Sequence, residues 1–559
     1  MAEHHPEPTP IPLPPDFPVT WADPGDSHLP LMQDRQHAPS PITPLSGWVT
    51  ENYWGKGASA GLAAAGQPIS ALIRRVNPYY FLAIVPSVPP EKMAEAGQHA
   101  EETLKQSIGT FATRWDEEWL PELKGYHKTW DAFDLPGASV DDLLKHLDWT
   151  LDTFARLWDI HFEIAVPFLV APSMFHDLYS DVFGETEALH SYKLLQGIEN
   201  ASLTAGRELW SLSQTAESEE IRSLILNHPT GEIVAALELS DEGGEFLGRL
   251  RNYLHEFGMR SDTVIELADP SWVEDPSIAI ENLKHYLSDD AEDPVEHWNQ
   301  LVAEREQFVT DAREKLAGYP EAVRGQFEMF MAAGQDGQRI QEDHNWWIDQ
   351  MGNHKVRSVL LEFGRRLAAS GTIADRDDVF FLTGDEIKDA IATGTPPDMK
   401  AVVAERSAEM DRWDKVHPPP MIGTDYGPPP DNPVTRAIGR FFGGPPPAAD
   451  PERPDVIKGN AGSPGSVTGT ARVIIKLSDA GRLNKGEILV TATTSPPWTP
   501  LFATAGAIVT DTGGPLSHCA IVAREYGLPA VVGTGMATAV IQDGQQIEVN
   551  GDSGEVRVL

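Results

Sequence analysis

Apolar residues recur at three- and four-residue spacing through "VDDLLKHLDWTLDTFARLWDIHFEIA", "HSYKLLQGIENASLTAGRELWSLSQ" and "KVRSVLLEFGRRLAASG", the period of an amphipathic helix. From about residue 90 to 413 this pattern predicts a large, mostly α-helical body. Residues 461–559 change period. "GSVTGTARVII", "GEILVTAT", "AGAIVTD", "PAVVG" and "QQIEVNGDSGEVRVL" are short β-branched runs divided by Gly and Asp turns, which predicts a small α/β domain. Residues 1–50 are Pro-rich and predict an extended arm packed on the body. Residues 417–460 carry twelve prolines in 44 positions, a linker signature. As an extended chain that linker would reach on the order of 100 Å. The "TRAIGRFF" inside it is compatible with docking on a neighbour or with transient pairing. The expected organisation is therefore arm 1–50, helical domain 51–416, flexible linker 417–460 and small α/β domain 461–559.

Composition narrows the function classes. The 559 residues carry a net charge of −41, which leaves no basic surplus to neutralise phosphates and argues against nucleic acid or an anionic membrane surface as partner. Cys519 is the single cysteine, so no intramolecular disulfide forms, and no zinc-type His/Cys spacing occurs. The N-terminus lacks the basic and apolar regions of a secretory signal, and no apolar run approaches the ~20 residues of a membrane span. A cytoplasmic location without a resident metal is expected.

The chemistry concentrates in "TDTGGPLSHCAIVAREYGLPAVVG", Thr510–Gly533. "AIVTD" reads as a strand and "HCAIVAREYG" as a helix opening at His518, with Ser517 as N-cap, Gly527 as stop and Pro529 beyond. Gly513 and Gly514 permit close backbone approach, and a helix N-terminus offers N–H groups to an anion. A histidine there can attack phosphorus, its phosphorylated form held by those groups, with Arg524 as a further phosphate partner. The plain alternative is a surface histidine near a helix start.

This stretch, with "GSPGSVTGTARVI" and "GEILVTATTSPPWTPLFATAGAIVTDTGG", resembles the swivelling phosphohistidine domain of the phosphoenolpyruvate-utilising dikinases and rifampin phosphotransferase over all of 461–559. The resemblance places His518 at the phosphorylated position. Cys519 departs from the usual small residue and reads as a packed hydrophobe. In the body, "FPVTWADPGDSHLPLMQDRQHAPSPITPL", "NYLHEFGMRSDTVIELADPSWVEDP" and "IQEDHNWWIDQMGNHKVRSVLLEFGRRLAASGTIADRDDVFFLTGDEI" resemble the acceptor domain of rifampin phosphotransferase. They resemble more closely the histidine-bearing subunit of the two-component aryl dikinases, of phenylphosphate synthase or hydroxyphenylethanone dikinase type. No ATP-grasp or Walker pattern and no pyruvate-binding barrel is read in the chain. The resemblance thus implies a partner ATP-grasp subunit that binds ATP and Mg²⁺. His518 would take the β-phosphate with release of AMP, the γ-phosphate would leave as inorganic phosphate, and a phenolic hydroxyl would receive the group from His518.

Transfer to a phenol, whose pKa is near 10 as for tyrosine, calls for a base within hydrogen-bond reach. Candidates are His37 and Asp34 in the arm, and Glu342 and His344 in "QEDHNWW". Arg260 and Arg357 are candidate cations for the moving phosphoryl group. Trp21, Trp346 and Trp347 could wall an aromatic acceptor. Each has a structural alternative: Asp34 and His37 bonding nearby backbone, Glu342 and Arg357 in separate salt bridges, one of the adjacent tryptophans in the core. Two other functions compete. One is an antibiotic phosphotransferase acting on an aliphatic hydroxyl of a macrocycle. The other is a phosphocarrier serving a protein partner.

Overall fold

The computed structural model describes residues 8–184, 189–216, 218–288, 291, 293–392, 397–444 and 451–559. The chain forms two compact units that cut across the divisions drawn from composition. The first comprises 1–167, 263–269 and 347–430; the second comprises 168–262, 270–346 and 431–559.

The first unit is not purely helical. Five strands form a sheet in the order β1-β5-β2-β4-β3: β1 Thr9–Pro10, β2 Pro30–Gln33, β3 Ile69–Val76, β4 Tyr79–Pro86 and β5 Met421–Asp425. β3 and β4 make an antiparallel hairpin, Ile69 facing Pro86 and Val76 facing Tyr79, across a turn where Asn77 takes positive φ. Its apolar face buries Phe17, Leu31, Tyr79, Phe81 and Ile422. The Pro-rich arm supplies β1 and β2, and the segment read as flexible linker supplies β5. Proline is tolerated in β1 and β2 because their pairings span only two or three residues.

The second unit joins a helical part to the C-terminal α/β part. In the helical part Leu209, Ile233, Leu250, Trp272, Ile280 and Leu283 pack in one core. The Glu321–His344 helix buries Phe327, Phe330, Met331, Gly334, Gly337, Gln338, Gln341 and Glu342, a stripe at three- and four-residue spacing. A Cβ at Gly337 would lie 2.7 Å from the Phe168 carbonyl, so glycine lets the two backbones meet there.

The α/β part has eight strands in the order β6-β13-β12-β8-β9-β10-β11-β7: β6 Val456–Lys458, β7 Asn460–Ser463, β8 Ser466–Val473, β9 Ile488–Thr491, β10 Ala507–Thr510, β11 Ala530–Val532, β12 Gln546–Asn550 and β13 Glu555–Val558. β8, β9, β10 and β11 run parallel. β9, β10 and β11 are short, mostly apolar and fully buried runs because both faces are covered, whereas β8 is longer, more polar and partly exposed. The Pro433–Phe442 helix also belongs to this unit, so "TRAIGRFF" is ordered and not part of an extended tether; its Asn432 cap and Thr435 form a capping box. Residues 445–450 of the expected linker, and 1–7 of the arm, lie outside the described residues. Among the described residues no helix is long and apolar enough to cross a membrane.

Candidate functional site

β10 ends at Thr510, and the Asp511–Ser517 loop leads into the His518–Glu525 helix. This sits beyond the carboxyl end of a parallel strand, where open α/β sheets place ligands. Ser517 caps the helix through its Oγ, which accepts from Ala520 N, and Gly527 ends it with φ +65°. Cys519 is buried and its thiol is pushed up to about 12 by burial, as fits a packed side chain.

The His518 ring is almost wholly buried within the second unit. Its Nδ1 lies 3.0 Å from Glu342 Oε1 and its Nε2 3.4 Å from Thr499 Oγ1. An ionised carboxylate only accepts, so Nδ1 carries a hydrogen, and in the neutral ring the lone pair then lies on Nε2. Glu342 Oε2 accepts from Ser202 Oγ at 2.7 Å. Ser202 is held in turn by local chemistry: Asn200 caps its helix, and Asp343 accepts from Ala201 N. Burial works against a charged Glu342, but the facing His518 and the Ser202 bond hold its carboxyl below the usual range.

Arg260 is buried in the same unit. It bonds the Phe257 and Ala201 carbonyls and stacks on the Trp346 ring at 4.1 Å. Burial pulls its guanidinium down to about 10 against the opposing charge of Glu342. His344 Nδ1 donates to the Ile340 carbonyl and its ring packs on Phe168. Trp346 is thus covered by a guanidinium on one face.

The two loop glycines hold a different set of partners from the anion expected of them. Gly513 N donates to Phe442 O, Gly514 N to Phe441 O and Leu516 N to Arg440 O, so the C-terminal carbonyls of the Pro433–Phe442 helix occupy these amides. A Cβ on Gly514 would meet Arg440 O at 2.3 Å. Arg440 is itself tied to Ser173 and Asp177. Arg524 bonds the Gly462 carbonyl and lies over Tyr192, buried and pulled down to about 10. In this arrangement Arg524 is a packing residue of the helix it belongs to.

The remaining candidates fall in the first unit. Asp34 accepts from the Gln36 and His37 amides and from His37 Nδ1 at 2.7 Å. Burial works against both charges, yet their mutual attraction lowers the Asp34 carboxyl and raises the His37 imidazole. Arg357 bonds the Leu267 carbonyl and covers the Phe380 ring. Trp21 packs against the Phe17–Phe81 core, and the Trp347 carbonyl accepts from His127. Ser202, Thr499, Asp262 and Glu525 in the second unit, and Glu266, whose carboxylate clamps Thr43 and Ser46, escaped the sequence reading. Their partners are far away in the chain, and none carries a local signature.

Residues 483–554 match the PEP-utilising enzyme mobile domain, and residues 161–335 match the rifampicin phosphotransferase fourth domain. These two segments belong to the PEP-utilising and rifampicin phosphotransferase superfamily. Relatives include chondramide synthase cmdD of Chondromyces crocatus, 34% identical over 98% of this chain and 14% of that protein. The uncharacterized phosphotransferase YvkC of Bacillus subtilis is 30% identical over 78% of this chain and 51% of its own length. A rifampicin phosphotransferase of Streptomyces sviceus is 30% identical over 61% and 39%. The chain thus spans about half or less of these relatives. Within the mobile-domain match lie His518, its glycine loop and Glu525; the fourth-domain match holds Ser202, Arg260 and Asp262, and Glu342 follows just after it.

Proposed function

We propose that this chain is the phosphoryl-carrying and acceptor-binding part of an ATP-dependent phosphotransferase. The observation that carries the reading is the buried His518–Glu342 pair, which joins the mobile domain's histidine to the helical part. An ATP-grasp partner subunit would hold ATP and Mg²⁺. Nε2 of His518 attacks the β-phosphorus, an N–P bond forms, and AMP leaves. Water then attacks the γ-phosphorus, the β–γ P–O bond breaks, inorganic phosphate leaves and one phosphoryl group stays on Nε2. At the helical part, the acceptor oxygen forms an O–P bond as the N–P bond breaks, and its proton passes to a base.

Glu342 suits the role of orienting partner. It keeps the hydrogen on Nδ1, so that the ring departs as neutral imidazole when the phosphoryl group leaves Nε2. With both oxygens engaged, it is better suited to orienting the ring than to taking the acceptor's proton. Arg260, close enough to Glu342 to feel its charge, supplies a cation for the transferred group. Two acceptor classes follow. The names of relatives favour an alcohol on a rifamycin-like macrocycle; the resemblance of the body to the aryl dikinases favours a phenol.

The test mixes the chain with an ATP-grasp partner, Mg²⁺-ATP and a panel of phenols and rifamycins, following AMP and phosphorylated product by chromatography. Both products are expected together, and neither with His518→Ala. A His518→Ala variant that still forms product would overturn the carrier role.

A further inference from the structure

Two carboxylates in the second unit, Glu525 buried and Asp262 partly buried, lie apart from the His518–Glu342 pair. Asp262 belongs to the helical part. Its Oδ1 accepts from Trp498 Nε1 and its Oδ2 from Leu477 N, each at 3.0 Å, and its own carbonyl accepts from Ser495 Oγ at 3.0 Å. All three donors belong to the α/β part. Glu525 is the reverse case. It ends the helix that His518 begins, and both of its oxygens accept from Gly197 N of the helical part, at 2.9 and 3.0 Å. Gly197 sits in a turn with φ +62°, which glycine adopts without strain, and Arg305 pins that turn through the Gln196 and Gly197 carbonyls.

Each side thus gives the other one acidic side chain, met by neutral N–H donors. The geometry is directional at Asp262, where each donor serves its own oxygen, and bifurcated at Glu525, where one amide serves both. It is also costly, since a carboxylate is taken out of water without a cation bonded to it. Burial raises both carboxyls, Glu525 to about 7. A contact that is specific but only weakly favourable suits a carrier that must dock and leave, because neither state then dominates.

We propose that Asp262 and Glu525 are reciprocal latches, positioning residues that seat the α/β part on the helical part so that His518 meets Glu342 for the acceptor step. The inference rests on His518 being the carrier. Asp262→Asn replaces an acceptor with an NH₂ group facing a donor. Trp498→Phe removes one donor with little change of volume, and Glu525→Ala removes the second latch.

The experiment charges His518 chemically with phosphoramidate, which leaves its phosphoryl group on imidazole nitrogen as ammonia departs, with His518→Ala as the blank. Charging needs an exposed ring, whereas acceptor transfer needs a seated one. Asp262→Asn and Glu525→Ala are expected to charge about tenfold faster and to pass phosphate to an acceptor hydroxyl about tenfold more slowly, the effect of losing one buried bond to a charged group. Hydrogen exchange is expected to rise at the Leu477 and Gly197 amides while the β12–β13 ladder keeps its protection. Trp498→Phe should move in the same direction by less.

Unchanged charging and unchanged exchange at both amides in Asp262→Asn and Glu525→Ala would overturn the proposal. So would loss of ladder protection in all three variants, which would make the residues merely structural. If the wild type charges but no hydroxyl takes the phosphate, the acceptor assignment fails, while the latches are still judged by charging and exchange.

Discussion

His518–Glu342 and His37–Asp34 are the same chemical pair, an imidazole Nδ1 against a carboxylate oxygen, at 3.0 and 2.7 Å. They differ in how they are made. Asp34 and His37 are three residues apart in one turn, where the carboxylate also accepts from two backbone amides, so the pair forms whenever the turn forms. His518 and Glu342 are 176 residues apart. Their pair exists only when the loop after β10 meets the end of the Glu321–His344 helix. A local pair fixes a ring orientation; a distant one can report on, and depend on, a conformational state.

The sharpest break of this contrast is at Glu342. Glu342→Gln keeps the volume and the Ser202 bond but no longer dictates which nitrogen of His518 carries hydrogen. Transfer from phosphorylated His518 to the acceptor is expected to slow on the order of 10²-fold in single-turnover measurements. Charging of His518 by a donor should change far less, since Glu342 belongs to the helical part. An equal loss in both half-reactions would show that Glu342 supports the fold and not the acceptor step.

Next in size is the strap at Gly514. A methyl group there would meet the Arg440 carbonyl, so Gly514→Ala must push the Pro433–Phe442 helix away from the loop. Hydrogen exchange at Gly513, residue 514 and Leu516 is expected to rise about tenfold or more, the equivalent of losing roughly 1.4 kcal/mol of protection. Unchanged protection would mean that the loop holds its shape without the strap.

These residues also mark how far the sequence could be read. The strand, the Gly-Gly loop, the Ser517 cap, the His518 helix and its Gly527 stop were all legible, because each is a local rule applied to neighbouring residues. The sheet of the first unit was not. β1, β2 and β5 come from Pro-rich segments near residues 10, 30 and 423, and local propensity argues against strands there; only pairing across the chain makes them. The ordered Pro433–Phe442 helix was hidden in the same way inside a proline-rich stretch. At the site, Glu342 and Arg260 were visible as candidates, but nothing local told that Glu342 would face His518. Asp262, Glu525 and Ser202 look in sequence like ordinary polar positions. Their importance lies in burial, which a single sequence does not display.

A smaller effect concerns pH. Glu525 is raised from its ordinary value to about 7 in the seated arrangement, because burial outweighs the Gly197 bond and the nearby Arg524 and Arg305 charges, with Glu342 adding to the rise. A group whose seated pKa is raised binds its proton more tightly there. Seating is therefore favoured at low pH and weakens as pH rises through about 7. Asp262, raised by burial despite Leu477, Trp498 and Lys476, acts in the same direction. Exchange at the Gly197 amide should increase severalfold more steeply between mildly acid and mildly alkaline pH in wild type than in Glu525→Gln, after correction for intrinsic exchange. Parallel curves would remove Glu525 from the pH response.

The smallest effect belongs to the local pair. The Asp34 carboxyl is lowered by His37, so its contribution to stability is present above its ordinary pKa and lost as pH falls. The His37 imidazole is raised by Asp34, with Asp349 adding to it, so its contribution is present below its ordinary pKa and lost as pH rises through the raised value. The pair therefore stabilises most at mildly acid pH. Asp34→Asn, measured by denaturant unfolding there, should cost about 1.5 kcal/mol, the low end for one hydrogen bond to a charged group. The cost should shrink toward alkaline pH, where His37 is neutral in both proteins. Phosphoryl transfer should fall by less than twofold in the folded variant. A larger fall in rate than in stability would move Asp34 and His37 from the turn that holds them into the chemistry, and the two pairs would then differ only in how they are assembled.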